Sequence, residues 1–517
     1  MTFNSSPFML FFPVFVLLYY ILPVRARRYF LLLGSYFFYA FYSPVLLLYL
    51  LSFTVLNYLA AMALSRFEPG SRERKRAMTA GVILDVAVLA FYKYFNFFSV
   101  NLHGIFSRKG DAFTLHLLVP LGISFITFTF ISYLVDVYRG TIPAEKNILR
   151  FAIYISFFPK VVQGPIEAAG DFLPQLDRGR RFDVLLFREG FIMVLYGEFM
   201  KMVVADTLGV AVDFIYLNPD VCLGATLLFG TFLFALQIYC DFAGYSLIAI
   251  GAAKILGFRL KQNFRQPYLS SSVGEFWRRW HMSLNNWLTK YVYIPLGGSR
   301  CSEARTTANT LITFGLSGLW HGADWGYVIW GLLNGLYVSI ERFAGKHLHP
   351  QRKGKEEKNP TEKNNKNNKN IKNNKGKQEK GPVSRFFGRI LTFVLVSFSW
   401  IFFRAQSLEK ASLVVYRITH RFLLSEFVPF VIKKLSMGPG NLLYNLDVVY
   451  GWRKLILGLL VVLVVDLLAE KHDIPSILAR SKRSVRWTVE IILLITVIVF
   501  GVYGFEYNAS AFIYSAF

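Results

Sequence analysis

VLLLYLLSFTVLNYLAAMAL, residues 45–64, runs twenty positions without a charged side chain. At roughly 1.5 Å of rise per residue, such a helix covers about 30 Å, the thickness of a hydrocarbon core. A helix on the surface of a soluble domain carries charge along its wet face. This one has none to present, so it reads as a membrane span. The basic clusters Arg25–Arg28 and Arg66–Arg76 flank a hairpin made of Tyr29–Phe41 and Val45–Leu64, with Pro44 at its turn. Short loops rich in Lys and Arg face the cytoplasm, which places the chain's start outside.

Other long apolar runs follow the same logic: Phe8–Leu22, Leu223–Gln237 and Ile491–Val502. The first lacks a preceding basic residue and a small-residue cleavage site, and reads as a retained helix. Alternation then carries Gly81–Val100 outward and Leu118–Val137 back, with Arg178–Arg181 cytoplasmic. Gly190–Val210 and Gly224–Gly244 make another excursion. Thr306–Trp320 and Trp325–Ile340 form a hairpin with its apex outward. Ile390–Arg404, Ile456–Leu468 and Trp487–Tyr503 close the chain. The expected fold class is an all-α polytopic membrane protein of about eleven or twelve membrane segments. Phe151–Ile166, interrupted by Pro159 and Pro165, reads as re-entrant; its broken backbone needs protein or water around it.

Composition agrees. Of 517 residues, 54% are hydrophobic and 17% aromatic. The net charge of +25 invites a nucleic-acid reading, but residues 351–380 hold eleven Lys/Arg against four Glu, and most of the remainder sits in loops beside apolar runs. Nucleic acid is therefore not expected as a partner. Lys363, Lys366, Lys369, Lys372 and Lys375 recur among Asn, a pattern that buries no core. This divides the chain into a membrane body over 1–345, a disordered basic and cytoplasmic linker over 346–385, and C-terminal helices of the same domain over 386–517. Cys222, Cys240 and Cys301 lack paired spacing, and no metal site is expected.

Polar groups beside apolar runs are the candidates for chemistry: Asp136, Gln237, Tyr239, Asp241, Tyr245, His281 and His321. An ionisable group at membrane depth costs a few kcal/mol, so each asks for a reason. His321 sits between two apolar stretches, in Leu316–Trp325. His281 closes a basic aromatic stretch, Phe276-Trp277-Arg278-Arg279-Trp280-His281. Imidazole exchanges a proton near neutral pH. Arginine matches the geometry of phosphate oxygens, so the Arg/Trp block, on the cytoplasmic side, suits an anionic donor. The same block also suits an interfacial aromatic belt with snorkelling arginines. Asp136 and Asp241 read as orienting or helix-packing groups.

A series of motifs gives these residues a common context. Pro120–Phe125 is followed by Tyr133–Gly140, Phe157-Phe158-Pro159, Gly164-Pro165-Ile166, Asp241–Ser246, Asn263–Tyr268, Glu275–Ser283, Tyr293–Gly298 and Leu316–Trp325. In this order the chain resembles the membrane-bound O-acyltransferase (MBOAT) family, of the bacterial alginate O-acetyltransferase type. The resemblance implies helices packed about a funnel or tunnel and a multi-pass protein of the bacterial inner membrane. It implies acyl transfer from a cytosolic thioester, acetyl-CoA or another acyl thioester, to a glycan hydroxyl outside, with no bound cofactor. It implies His321 as the catalytic residue and His281 as a second important position. Arg265, Gln266, Trp277, Arg278, Arg279, Trp280, Asn285 and Tyr245 are the expected substrate contacts, with Asn285, Tyr245 or a backbone NH as candidate oxyanion donors. His281 is expected nearer the cytoplasm and His321 nearer the outer end. An extracytoplasmic acetyltransferase partner is also implied.

The chain departs from the family text at Leu247, where Asp is common, and at Asp324, where Asn is common. Pro295-Leu296-Gly297-Gly298 favours the acetyltransferase branch. D-alanyl transfer to teichoic acid, acylation of a protein or lipid alcohol, and a transporter without bond-making chemistry remain alternative readings.

Overall fold

The computed structural model describes residues 1–41, 43–106, 111–120, 122–177, 181–347, 381–422 and 452–502. These residues form helices α1 (Ser6–Ile21), α2 (Val24–Ala40), α3 (Pro44–Leu64), α4 (Arg72–Leu89), α5 (Phe95–Phe106), α6 (Ile123–Tyr138) and α7 (Ile148–Ser156). Two one-turn helices follow, α8 (Phe158–Val161) and α9 (Ala169–Phe172). Next come α10 (Val184–Glu198), α11 (Asp206–Leu217), α12 (Gly224–Ile255), α13 (Val273–Arg279) and α14 (Met282–Leu288). Then follow α15 (Glu303–His321), α16 (Trp325–His347), α17 (Pro382–Arg404), α18 (Leu408–His420), α19 (Trp452–Ala469), α20 (Ile474–Arg480) and α21 (Arg483–Phe500). Most of the linker expected over 346–385 lies outside the described residues.

The span read at residues 45–64 is α3, with Pro44 at its first position, where a missing N–H costs nothing. Among the described residues, four helical stretches are long and apolar enough to cross a membrane: Pro44–Leu64, Arg72–Phe106, Gly224–Ile255 and Pro382–Arg404. Many of the others are shorter helices or are broken by turns. Arg72–Phe106 stays continuous through a π-helical turn at Ala90–Tyr94.

The long helix α12 is the axis of the molecule, buried along most of its length. Glycines let α10 lie against it. A Cβ on Gly197 would stand 2.7 Å from the Gly244 carbonyl oxygen, and one on Gly251 would stand 2.5 Å from that of Gly190. Such small-residue contacts are how helices approach closely where water exclusion drives nothing. Beside this seam, Lys201 pairs with Asp206 at 2.6 Å and with Asp241 at 2.7 Å, its side chain 2% exposed. Asp136 accepts from Lys290 and from the Tyr291 hydroxyl, each at 2.9 Å. Both aspartates thus tie elements together.

The stretch read as re-entrant breaks at Phe157, between α7 and α8, and every residue from 151 to 167 is buried. Protein surrounds its interrupted backbone, as a break at membrane depth requires. Phe158 makes ring contacts with Phe11, Phe12, Phe15 and Phe38, which seat α1 and α2 on it. The C-terminal helices join the same body: Trp400 of α17 stacks on Trp330 at 5.3 Å and meets Trp280 at 5.2 Å.

Candidate active site

Three short pieces build the first half of the site: the irregular run Asn263–Gln266, α13 and α14. Ser272 caps α13 by accepting from the Glu275 N–H at 3.2 Å, and the Glu275 carboxylate accepts in return from the backbone and hydroxyl of Ser271. This is a form of capping box. Burial alone would raise the Glu275 carboxyl, but the Ser271 hydrogen bonds and Arg279 outweigh it and hold it below the ordinary glutamate value. Arg279 pairs with Glu275 at 2.6 Å and Glu470 at 3.3 Å, so it clamps α13 to the end of α19.

The chain then breaks at Trp280–His281. His281 takes φ 41° and ψ 53°, a left-handed conformation uncommon for a residue with a Cβ. The run Asn263–Gln266 holds it there. The Arg265 N–H donates to the Arg279 carbonyl and the Met282 N–H donates to the Asn263 carbonyl, each at 2.9 Å. The Asn285 amide donates to the Trp277 and Trp280 carbonyls, both at 2.6 Å. Strain held by surrounding structure is a common mark of working sites.

The second half is the hairpin of α15 and α16. His321 is the last residue of α15 and is 3% exposed; His281 is 1% exposed. They lie forty positions apart in sequence, yet both rings contact Trp320, His281 at 5.9 Å and His321 at 4.8 Å between centroids. The two histidines, one expected nearer each side of the membrane, therefore share one indole as a neighbour. Phe242 and Phe125 complete the wall around His281; Trp330 and Phe403 complete that around His321. Neither ring nitrogen of His281, nor Nε1 of Trp320, has a hydrogen-bond partner among the described residues, though all three are buried. Buried polar atoms are nearly always satisfied, which makes these three candidates for contact with a polar ligand.

Beside the hairpin lies a cavity of about 330 Å³, lined among others by Trp277, Arg278, Asn285, Phe314, Ser317 and Arg342. Arg278 is exposed and makes no hydrogen bond or ion pair among the described residues. Ser317, at the buried side, lies one turn before His321 on the same face of α15. The cavity is at the small end of ligand pockets.

The expected contacts divide by position. Trp277, Arg278 and Asn285 line the cavity. Trp280 is buried among Phe276, Phe264 and Trp400. Arg265 is exposed, and Gln266, the next residue, takes φ 43° before the turn Pro267–Leu269. The Tyr245 hydroxyl donates to Asn4 at 2.7 Å, within the α12 core. Both amide donors of Asn285 are committed to backbone carbonyls.

Residues that sequence reasoning passed over include Lys93, Asn334 and Arg342. Asn334 accepts from the Trp277 indole at 3.3 Å. Lys93 donates to the Trp320 carbonyl at 2.6 Å and the His321 carbonyl at 3.3 Å. A lone lysine within an apolar run was the available signal. Among the described residues, no group of three His, Cys, Asp or Glu side chains is placed to hold a metal.

Known proteins share this text. The sequence profile of MBOAT, the membrane-bound O-acyltransferase family, matches residues 75–355, which contain both histidines and the cavity. The chain is 38% identical to the probable alginate O-acetylase AlgI of Pseudomonas aeruginosa, over 80% of this chain and 73% of that protein. It is 31% identical to the peptidoglycan O-acetyltransferase of Helicobacter pylori, over 79% and 78%. Likeness to the teichoic acid D-alanyltransferase of Bacillus subtilis is lower, 26% over 44% of this chain and 60% of that one. The chain belongs to the membrane-bound O-acyltransferase family.

Proposed function

We propose that this multi-pass O-acyltransferase moves an acetyl group from a cytosolic thioester to hydroxyls of an exported or cell-surface polysaccharide, with His321 as general base. The observation that carries the reading is the placement of His321. It ends α15, buried, one turn beyond the cavity residue Ser317. The likeness to alginate and peptidoglycan O-acetyltransferases supports the acetyl group and the glycan acceptor.

The chemistry is direct. A sugar hydroxyl attacks the thioester carbonyl as the His321 imidazole takes its proton. The tetrahedral intermediate expels the thiolate, and the proton returns to sulfur. One C–O bond forms, one C–S bond breaks, and no proton is gained or lost overall. A positioned base contributes roughly 10²–10⁴-fold. Arg278, exposed at the cavity mouth, suits the phosphates of a donor such as acetyl-CoA. His281, with both nitrogens available, shares the Trp320 neighbour with His321 and would hydrogen-bond the incoming hydroxyl or the oxyanion. An extracytoplasmic acetyltransferase would then complete delivery to the polymer in a system that uses one, and the inner membrane is the fitting location.

The test supplies radiolabelled acetyl-CoA to membranes holding the full-length protein and follows base-labile label in polysaccharide. Label in glycan ester, absent without the protein, is the expected result. Labelling only from D-alanyl carrier protein, with none from acetyl-CoA, would overturn the acetyl assignment.

A further inference from the structure

The carboxyl end of α15 is the end that carries His321, and its carbonyls have no onward helical donors. The closing bond of this helix, from the Gly322 N–H to the Gly318 carbonyl, is long at 3.4 Å. Within a membrane such carbonyls cannot turn to water, and each needs a protein donor. Two adjacent residues of the π-helical turn Ala90–Tyr94 provide them. The Tyr94 hydroxyl donates to the Leu319 carbonyl at 2.8 Å. The Lys93 ammonium donates to the Trp320 carbonyl at 2.6 Å, the His321 carbonyl at 3.3 Å and the Ser124 hydroxyl at 3.2 Å. A lysine has three donors, and all three are used.

This arrangement exceeds what an end cap requires. A glycine or a hydroxyl would satisfy the same carbonyls without a charge. Lys93 has no carboxylate partner among the described residues, so its charge faces the negative end of the α15 dipole. The π-turn inserts an extra residue into an otherwise continuous helix, a feature common at functional sites. Ser124, the third acceptor, adjoins Phe125, whose ring meets both Trp320 at 5.1 Å and His281 at 6.3 Å. One ammonium therefore links α15, α6 and the wall shared by the two histidines.

We infer that Lys93 is a positioning residue for acyl transfer: it fixes the Trp320–His321 backbone, and through it the direction of the His321 imidazole. The inference rests on His321 acting as the base. Lys93 itself touches no substrate and exchanges no proton.

The test compares full-length Lys93→Met, Lys93→Arg and His321→Ala in membranes, with acetyl-CoA as the donor and thiol release in the presence of polysaccharide as the readout. Misplacing a reacting group by about 1 Å costs up to ~10²-fold. Lys93→Met is expected to lower kcat by about 10–100-fold while the KM for acetyl-CoA changes less than about threefold. Lys93→Arg, which keeps a cationic donor, is expected to recover a large part of that loss. In the His321→Ala background, Lys93→Met is expected to remove no further activity, because residues acting through one another are not additive.

Unchanged kcat in Lys93→Met, no recovery in Lys93→Arg, or a further loss in the double variant would each overturn the inference. Should Lys93→Met fail to insert, Lys93→Gln carries the same comparison. The two failures separate cleanly. His321→Ala with wild-type turnover removes the base, and the inference with it. A dead His321→Ala beside a fully active Lys93→Met removes the inference alone.

Discussion

Gly318 offers a severe trial of the packing that places His321. It lies three residues before the histidine on α15. A Cβ built there would stand 2.1 Å from the Tyr327 carbonyl oxygen of α16 and 2.9 Å from the Tyr327 carbonyl carbon. Ordinary van der Waals contact begins near 3.4 Å, so the helices must part by about 1 Å or the backbone of α16 must shift. The obstacle is main chain and cannot swing aside. Overpacking of this kind costs roughly 1–3 kcal/mol. The displacement acts at the end of α15 that carries His321, where about 1 Å of error is worth up to ~10²-fold in rate. Gly318→Ala is therefore expected to lower the thermal midpoint of the detergent-solubilised protein and to reduce acyl transfer by about 10–100-fold. Gly345→Ala on α16, where a Cβ meets nothing within 4 Å, is the control and is expected to lower neither. Wild-type midpoint and turnover in Gly318→Ala would refute the argument that close approach of these helices sets the site.

Two further substitutions separate strain and donor binding from chemistry. At His281, φ 41° costs a residue with a Cβ about 1–2 kcal/mol relative to glycine. His281→Gly is expected to be at least as stable as His281→Ala while both lose turnover; greater stability in the alanine variant would contradict the backbone account. Arg278→Ala is expected to raise the KM for acetyl-CoA by about tenfold with kcat nearly unchanged, the value of one charge-assisted contact at an exposed site. A fall in kcat at constant KM would contradict its placement at the cavity mouth.

The sequence made some of this readable and hid the rest for physical reasons. The uncharged run at residues 45–64 could only be a buried or lipid-facing helix, and it is α3. Pro159 and Pro165 within Phe151–Ile166 announced a break, and the chain breaks at Phe157. By contrast, Arg72–Phe106 is longer than the outward segment read at Gly81–Val100, because a charged amphipathic start continues into an apolar half without a breaker. The contact of both His281 and His321 with Trp320 is a tertiary fact that spacing does not encode. Nor could local text show that the Asn285 amide turns onto its own backbone, or that the Tyr245 hydroxyl reaches Asn4, 241 positions away. Lys93 was visible as a stray charge, but its partners lie 227 and 228 positions downstream, so its task could be seen only in the folded chain.

The central claim is that His321 is the base for acetylation of a surface glycan. Its most direct test is the ester-linked acetate released by mild alkali from surface polysaccharide of a deletion strain carrying either wild type or His321→Ala, with membrane levels of both proteins matched. The account predicts acetate restored by wild type and absent with His321→Ala. Equal acetate from the two strains would contradict it.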